Sequence, residues 1–512
     1  MRNYIYLILI AGSTFLLIYN FKSLGNNLFE SSNNPEKKIE NLYYYLKNYY
    51  VDKIDLDSLS NEIIKDVVKK LDPHSFYISK NELPIVNESM RGSFEGIGVN
   101  FFFINDTVSI IRVLKGSPAE KFGLLAGDRI LMSDKDTLYG KNLSNQKILD
   151  KIKGPKDSKI NLEIFRPSSA EKFNVNIERG KVDIGSVFFY ELKEDVGYIK
   201  IDRFIKETDV DFKLAIENFN EKGIKKLILD LRDNPGGYLF SAEKISDIFL
   251  EKDQKIVIVK SSKGEIKEKL ASGEGIFKEG NVCILINKNS ASASEVLAGA
   301  LQDNDRAFII GETSFGKGLV QNQFPLGSKD AIRLTVAKYY TPSGRSIQKP
   351  FESYKDNIDY LIKDSKKPRD QAIDTIMYYS TNGKKLFTKG GILPDKILPS
   401  KEAKSKNIIS YEIIWNQFNR MVIEEVDKNR NFYSKLKRED VLKEEFLDKA
   451  KWIELLNVLS KKNKIDLKSS DYEIMFNSIR SILVFQLFDR KTQIEVNNSN
   501  DPYIFEAIKI LK

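Results

Sequence analysis

Ser292 and Lys317 are the two side chains of this sequence whose types and settings favour nucleophilic chemistry. Ser292 stands at the start of a helix predicted over 291–302, and Lys317 follows a short apolar strand predicted over 307–310. A helix start offers unpaired backbone N–H groups and the positive end of the helix dipole, which suit a serine whose product is an oxyanion. A serine needs a base, and a lysine kept neutral by burial can serve as one. The pair predicts serine-type acyl chemistry.

Histidine, the usual base for a serine, occurs once in this chain, as His74. A Ser-His-Asp triad would require this distant residue to fold over the site. A lone histidine before a serine in a turn is more often structural. Phe315, Leu319 and Val320 surround the lysine segment with apolar side chains, so burial would lower the pKa of the amine. We therefore favour a lysine base.

Ser292 and the serines on either side of it also fit a purely structural role. The run from Ser292 to Glu295 matches a capping box, S-x-x-E, ahead of apolar residues, and taken alone that interpretation has the better odds. Ser290 and Ser294 are further candidates for either role, the cap or the nucleophile.

A phosphate-binding loop is the second alternative. Gly311, Gly316 and Lys317 match most of that motif. The match fails at Gly318, where a Ser or Thr must bind magnesium, and strand-like residues follow where the motif needs a helix. Nucleotide binding is the weaker interpretation.

The motif Ser290-Ala-Ser-Ala-Ser-Glu295, the segment Gly316-Lys-Gly-x-x-Gln321 and the spacing between them resemble the C-terminal processing (tail-specific) proteases. These are serine endopeptidases with a Ser-Lys dyad, and the resemblance runs from about Asn34 to Pro399. It implies that Ser292 is the nucleophile, that Lys317 is the general base and that Gln321 orients the lysine.

The same resemblance assigns the groups that would stabilise the oxyanion. The segment Arg232-Asp-Asn-Pro-Gly-Gly237 closes a strand and opens a helix. The amides of Gly236 and Gly237 are implied to form one side of the oxyanion hole and the amide of Ala293 the other, while Glu295 supports the site. Taken alone, the segment also fits a plain turn.

Strands alternate with helices from Val196 to Thr341, which is typical of a layered α/β sheet. The resemblance implies a crotonase-like catalytic core over 181–400. Residues 93–180 resemble an inserted, β-rich PDZ domain. Its carboxylate-binding loop would be formed by Gly96, Ile97, Gly98 and Val99. A protein or peptide C-terminal tail would then add as a strand beside this loop.

The two ends of the chain flank this core. Residues 1–25 contain an apolar run that predicts an uncleaved membrane anchor, with a signal peptide as the alternative. Residues 34–92 predict a helical region with a tyrosine-rich face, for which the resemblance makes a homodimer plausible. Residues 401–512 predict a helical region without an assigned role. The resemblance places the protein on the periplasmic side of a bacterial inner membrane.

Composition restricts the partners. The 512 residues carry a net charge of +9, but 81 basic and 72 acidic residues are interleaved, which argues against a one-sided nucleic-acid surface. One histidine and one cysteine leave no metal-ligand cluster, so we expect no metal and no cofactor. Cys283 lies in an apolar run and is predicted to pack in the core.

The sequence thus predicts an exported serine endopeptidase that cleaves proteins near their C-termini. The alternative from another class is a PDZ and crotonase-like scaffold that binds C-terminal peptides without cutting them. Fold alone does not decide between them.

Overall fold

The structure is a computed structural model that describes residues 34–140, 143–327, 329–351, 377–388, 390–398, 408–443, 446–463, 465, 467 and 469–512. Within these residues, no helix has the length and apolar character needed to cross a membrane. The anchor predicted over 1–25 lies outside the described residues. By its internal contacts the chain divides into two units, residues 1–71 and 72–512.

The described part of the first unit is a pair of helices, α1 (Pro35–Tyr49) and α2 (Leu56–Lys69). Each begins with a side-chain cap: Asn34 accepts from the Glu36 N–H, and Asp55 accepts from two N–H groups of the first turn of α2. A hydrogen bond of 2.8 Å from Tyr43 to Ser60 joins the two helices.

The second unit begins with short elements that lead into a β domain. These are β1 (Phe76–Ile78), α3 (Leu83–Arg91), β2 (Ser93–Gly96), β3 (Val99–Ile104), β4 (Thr107–Val113), α4 (Pro118–Lys121), β5 (Arg129–Ser133), β6 (Asp136–Thr137), α5 (Asn145–Ile152), β7 (Lys159–Arg166), β8 (Glu171–Glu178) and β9 (Gly180–Asp183). The main sheet has the order β3-β4-β5-β7-β8, with β6 on β5. Its core is a cluster of buried aliphatic side chains, including Ile110, Ile130 and Ile164.

Strands β2 and β9 form a separate antiparallel ribbon where the β domain begins and ends. Ser93 pairs with Asp183, and Gly96 pairs with Gly180. The chain therefore enters and leaves the β domain through adjacent strands.

The core is built on a sheet of six strands and the helices that connect them. These elements are β10 (Val187–Leu192), β11 (Val196–Ile201), α6 (Thr208–Glu221), β12 (Lys226–Asp230), α7 (Leu239–Asp247), β15 (Asn281–Ile286), α8 (Ala293–Asp303), β16 (Phe308–Gly311) and β21 (Lys396–Ile397). The order of the strands in the sheet is β10-β11-β12-β15-β16-β21. The pairs from β11 to β21 are parallel, and β10 is antiparallel to β11. Strand β11 is buried along its whole length, as in a sheet that is covered on both faces.

A second, antiparallel sheet lies against the same helices. It contains β13 (Lys255–Ser261), β14 (Ile266–Leu270), β17 (Leu319–Pro325) and β18 (Ala331–Tyr340), and β1 also belongs to it. The order is β1-β18-β13-β14, with β17 on β18. Strands β19 (Tyr378–Tyr379) and β20 (Lys385–Leu386) form a small hairpin. Strand β1 thus brings residues from before the β domain onto the core.

The remaining elements are helical: α9 (Ile408–Lys428), α10 (Arg430–Tyr433), α11 (Arg438–Val441), α12 (Lys449–Lys462), α13 (Ser469–Leu487), α14 (Arg490–Asn498) and α15 (Pro502–Leu511). Several of them share a core of their own, with Phe418, Trp452 and Ile479 at its centre. Helix α15 packs on the face of the parallel sheet opposite α6, α7 and α8, through Ile504 and Ala507. The coarse fold class, mixed α/β, is confirmed.

Cys283 illustrates this layering, because its strand β15 sits between α8 and α15. The thiol is fully buried, and burial raises its pKa. The prediction that Cys283 packs in the core is confirmed.

Candidate active site

Ser292 lies in the turn that joins β15 to α8. Its backbone has φ of 56° and ψ of −114°, a conformation that non-glycine residues rarely adopt. Its backbone N–H donates to Glu295 Oε2 at 2.8 Å, which is one half of a capping box, but its hydroxyl does not cap the helix. The capping interpretation thus accounts for Glu295 and leaves the Ser292 hydroxyl available.

The neighbouring serines differ from Ser292 in burial. Ser290 and Ser294 are both fully buried. Ser290 Oγ donates to the Leu231 carbonyl at 2.8 Å, and Ser294 Oγ donates to the Asn234 carbonyl at 3.0 Å. These two hydroxyls fasten the helix start to the turn after β12, so Ser292 is the partly exposed hydroxyl of the three.

Glu295 connects the serine to the lysine segment. This side chain is fully buried. Its Oε1 accepts from the Ser314 hydroxyl at 2.5 Å and from the Gly316 N–H at 2.7 Å, and its Oε2 accepts from the N–H groups of Ser292 and Lys317. Burial raises the pKa of Glu295, and these four hydrogen bonds oppose that rise. One carboxylate oxygen therefore holds the backbones of the predicted nucleophile and base together.

The amine of Lys317 is bound by an uncharged group. Lys317 Nζ donates to Gln321 Oε1 at 2.7 Å, and Gln321 Nε2 donates to the His74 carbonyl at 2.6 Å. The structure thus brings Gln321 to the lysine, as the sequence predicts for an orienting residue. The His74 carbonyl fixes which way the Gln321 amide faces.

Burial lowers the pKa of the Lys317 amine, and the like charge of Arg333 lowers it further. The carboxylates of Asp72 and Glu295 oppose this shift. Arg333 on β18 pairs with Gln323 on β17, and its guanidinium donates a hydrogen bond of 3.2 Å to Gln323 Oε1. The surroundings therefore favour a neutral amine more than water does, as a lysine base requires.

His74 also lies near the lysine, because β1, which follows His74 in the chain, pairs with β18 of the core. Burial lowers the pKa of the imidazole to about 4, and the neighbouring charge of Lys317 adds to this effect. Its ring centroid is 6.4 Å from that of Phe315. The chain's single histidine does fold toward the site, with a ring that is neutral at neutral pH and a backbone carbonyl that holds Gln321.

The turn after β12 brings its two glycines beside Ser292. Gly236 and Gly237 have φ of 94° and 147°. A Cβ on Gly236 would lie 2.8 Å from Ser292 Cβ and 3.0 Å from the Ala293 nitrogen, so a side chain there would collide with the helix start. The turn that contains Gly236 and Gly237 is thus packed directly against the predicted nucleophile, Ser292.

Asn234 is fully buried and organises this turn. Its Oδ1 accepts from the Gly236 N–H, and its Nδ2 donates to the Ile201 carbonyl, both at 2.9 Å. Among the described residues, the N–H groups of Gly237 and Ala293 have no acceptor. These two amides are therefore the ones left to face a ligand.

In the β domain, Gly96, Ile97, Gly98 and Val99 join β2 to β3. Gly98 has φ of 81°, and a Cβ there would lie 2.3 Å from Ser117 Cβ. No described residue accepts a hydrogen bond from the N–H of Ile97 or Gly98. The loop thus has the backbone donors that a carboxylate would need.

Two features bear on other chemistries. After Gly318 the chain forms strand β17, whereas a phosphate-binding loop continues into a helix. The phosphate-loop alternative is therefore wrong. Within the described residues, no group of three or more His, Cys, Asp or Glu side chains is arranged to hold a metal.

Sequence reasoning missed Asn234, Ser314 and Tyr339. Asn234 stood inside the quoted turn motif without a role. Tyr339 OH donates to the carbonyls of Ser292 and Lys317. The sequence around Tyr339 gives no local signal for such a contact, because its partners are distant in the chain.

The fold and site define a layered α/β core in which a buried glutamate binds the backbones of a serine at a helix start and of a partly buried lysine. Residues 195–355 match the family model of peptidase family S41. The predicted resemblance to the C-terminal processing proteases is thereby confirmed.

Two curated relatives carry related names. The chain is 38% identical over 316 residues to the carboxy-terminal processing protease CtpB of Bacillus subtilis, which is 61% of this chain and 65% of that protein. It is 36% identical over 335 residues to a probable CtpA-like serine protease of Staphylococcus aureus, covering 65% of this chain and 66% of that protein. The chain thus matches just under two thirds of the length of each.

Solved structures also match. A photosystem II D1 C-terminal processing protease is 26% identical, with a TM-score of 0.37, covering 60% of this chain and 83% of that chain. The PDZ domain of a carboxy-terminal protease from Vibrio cholerae, solved in complex with a peptide, is 30% identical with a TM-score of 0.17, covering 18% of this chain and 99% of that domain.

Proposed function

We propose that this protein is a serine endopeptidase that cleaves exported proteins near their C-termini. The observation that carries the proposal is the shared contact of Ser292 and Lys317 with one oxygen of Glu295, at 2.8 and 2.9 Å. The two backbone nitrogens can therefore be no further apart than these two distances combined. The family match over residues 195–355 supports peptidase activity.

The mechanism follows from the surroundings of each group. Neutral Lys317 takes the proton of the Ser292 hydroxyl as Oγ attacks the scissile carbonyl, and Gln321 holds the amine in place. The protonated lysine then gives its proton to the leaving amine. Water hydrolyses the acyl-enzyme with the same lysine as base.

The oxyanion of each tetrahedral intermediate would rest on backbone amides. Ala293 supplies one, and the turn of Gly236 and Gly237 supplies the other. Since Asn234 already accepts from the Gly236 N–H, Gly237 is the better donor of that pair. One such donor is worth about 3 kcal/mol in the transition state.

The β domain would act as a PDZ domain that captures the tail of the substrate. The N–H groups of the loop from Gly96 to Val99 would bind the terminal carboxylate, and the tail would add as a strand to β3. The peptide in the Vibrio PDZ complex is in keeping with this role. The partners are thus protein or peptide C-terminal tails.

The proposed organisation keeps the predicted regions: an anchor or signal segment over 1–25, a helical region over 34–92, a PDZ domain over 93–180, a crotonase-like core over 181–400 and a helical region over 401–512. The proposed location is the periplasmic side of a bacterial inner membrane. A homodimer through the tyrosine-rich face of α1 is part of the same proposal.

The test is cleavage of an unfolded protein that ends in an apolar tail. Ser292→Ala and Lys317→Ala should each abolish cleavage, and the same substrate with an acidic tail should be cut more slowly. If Lys317→Ala keeps most of the activity, the lysine is not the base.

Labelling with a serine-reactive phosphonate separates the enzyme from a non-cutting scaffold. An enzyme labels at Ser292, and the labelling is lost in Lys317→Ala. A chain that binds tail peptides but stays unlabelled and inert would be a scaffold.

A further inference from the structure

Tyr339 lies at the end of β18, beside the lysine segment. Its side chain is only 3% exposed. Its backbone N–H donates to the Gly318 carbonyl at 3.0 Å, so the strand and the lysine loop are already joined at this point. Its hydroxyl donates to the Ser292 carbonyl at 3.0 Å and lies within hydrogen-bond distance of the Lys317 carbonyl.

The Tyr339 hydroxyl therefore contacts the same two residues as Glu295, but it binds their carbonyl groups and not their N–H groups. Glu295 Oε2 accepts from the N–H of Ser292 and of Lys317, whereas Tyr339 meets the carbonyl of each. A phenol has one proton, so the two carbonyls share one donor. Nucleophile and base are thus connected twice, through chemically opposite groups.

The Ser292 carbonyl has other donors, but they lie within its own helix. The N–H groups of Glu295 and Val296 donate to it at 2.8 and 3.0 Å. These bonds fix the helix start and do not reach the lysine loop. Among the described residues, Tyr339 is the group that links this carbonyl to the segment that carries Lys317.

The backbone of Ser292 makes this link consequential. Its positive φ is a conformation that persists only where the surrounding contacts determine it. Loss of the carbonyl contact would allow the turn to relax and move Ser292 Oγ relative to the lysine amine. The transfer of a proton and the attack on a carbonyl both depend steeply on such distances.

We propose that Tyr339 is a positioning residue of this protease, whose hydroxyl holds the backbones of Ser292 and Lys317 in place relative to each other and thereby sets the distance between the serine hydroxyl and the lysine amine. The inference rests on the proposed function and deepens it. Tyr339 does not touch the substrate in this role, and it neither gives nor takes the transferred proton.

The test is Tyr339→Phe in the full-length chain, purified in mild detergent and assayed on the unfolded protein with an apolar tail. The ring stays to fill the core, and the hydroxyl alone is removed. We expect kcat to fall about 10- to 100-fold, because a misplacement of about 1 Å can cost that much. KM should change less than about twofold, since no contact to the substrate is lost.

Tyr340→Phe is the matched control, because it removes the hydroxyl of the adjacent residue on the same strand and should keep the wild-type kcat. The rate of phosphonate labelling at Ser292 should fall in Tyr339→Phe by the same factor as kcat. Circular dichroism at the assay temperature gives the folded fraction of each variant.

A kcat within twofold of the wild type would overturn the inference, and so would a loss that only matches a reduced folded fraction. A rise in KM with kcat unchanged would also overturn it. Ser292→Ala and Lys317→Ala are assayed alongside. If they still cut, the proposed function fails; if they are inactive while Tyr339→Phe cuts normally, only the role of Tyr339 fails.

Discussion

Two buried carboxylates, Glu295 in the candidate active site and Asp230 at the end of β12, are held by different kinds of partner. Glu295 accepts from three backbone N–H groups and one hydroxyl, all uncharged. Asp230 accepts from the Arg232 guanidinium at 2.6 Å and lies 3.5 Å from the Lys200 amine. Asp230 is thus paired with cations, whereas Glu295 is bound by uncharged hydrogen-bond donors.

The pKa shifts follow from this difference. Burial tends to raise both values, but Arg232 and Lys200 hold the pKa of Asp230 well below its usual range, whereas the pKa of Glu295 is raised. Lys317 likewise binds the neutral Gln321 and makes no salt bridge in the described residues. An ion pair would keep the amine charged. The candidate site thus gives Lys317 a hydrogen bond without a counterion, which favours the neutral amine that the proposed mechanism needs.

The largest expected effect on stability comes from Asp230→Asn. The substitution leaves the buried charges of Arg232 and Lys200 without their main partner, which should destabilise the fold by about 3 kcal/mol or more. The folded-state pKa of Asp230 lies below the unfolded value of about 3.8, so its contribution is complete at neutral pH and declines below that value. Urea unfolding of the wild type and the variant at pH 7 and at pH 3 measures both the loss of stability and its dependence on pH.

A loss below about 1 kcal/mol at pH 7 would contradict this account of the core pair, because it would mean that Arg232 finds equivalent partners elsewhere.

Glu295→Gln should destabilise less but inactivate more. The amide would turn an NH2 group toward two buried donors, at a cost of about 1–3 kcal/mol for each unsatisfied group. The misplaced turn should lower kcat by at least about 100-fold. The measurement is kcat at a temperature where both Glu295→Gln and Asp230→Asn are folded. Equal losses of kcat in the two variants would contradict the claim that Glu295 matters more for activity than Asp230 does.

Asp501→Asn should have a smaller effect on stability. Asp501 lies 2.6 Å from Arg232, at the start of α15, but Arg232 keeps its bond to Asp230. We expect a loss of about 1 kcal/mol by urea unfolding. A loss as large as that of Asp230→Asn would show that the C-terminal helix, and not the strand, supplies the main counterion.

The smallest effect is a spectroscopic shift at His74. Since it is the only histidine, its imidazole resonance can be followed by NMR in the full chain, and we expect a pKa of about 4. The unfolded chain binds this proton near pH 6.5, so stability falls as the pH drops from about 6.5 toward 4. Lys317→Met removes a nearby positive charge and should raise the pKa of His74. An unchanged value would place the lysine charge too far away to act on the ring.

Local patterns predicted much of the fold and site. The apolar run at Lys226 predicts β12, and the small residues after Ser292 predict α8, because period and chain order suffice for such elements. The motif also placed Ser292, Lys317 and Gln321 together. Contacts between distant segments carry no such signal, among them the pairing of β1 with β18 and the packing of α15 on the sheet.

The role of the Gly236 amide shows a finer limit. Both glycines of the turn fit the family pattern, and only the position of the Asn234 side chain tells which N–H is already occupied. Hydrogen-bond competition of this kind depends on coordinates and not on residue types.

The ribbon of β2 and β9 has a consequence for the architecture. Because Ser93 and Asp183 are paired neighbours, the chain enters and leaves the β domain at one place, and the domain also contacts the C-terminal helices through the ion pair of Arg129 with Asp427. A short reverse turn between β2 and β9 could replace the whole domain while β1 still reaches β18, at the cost of that ion pair. Such a deletion would yield a smaller chain in which the proposed cleavage can be assayed without the proposed tail-binding domain, so the two proposals could be examined one at a time.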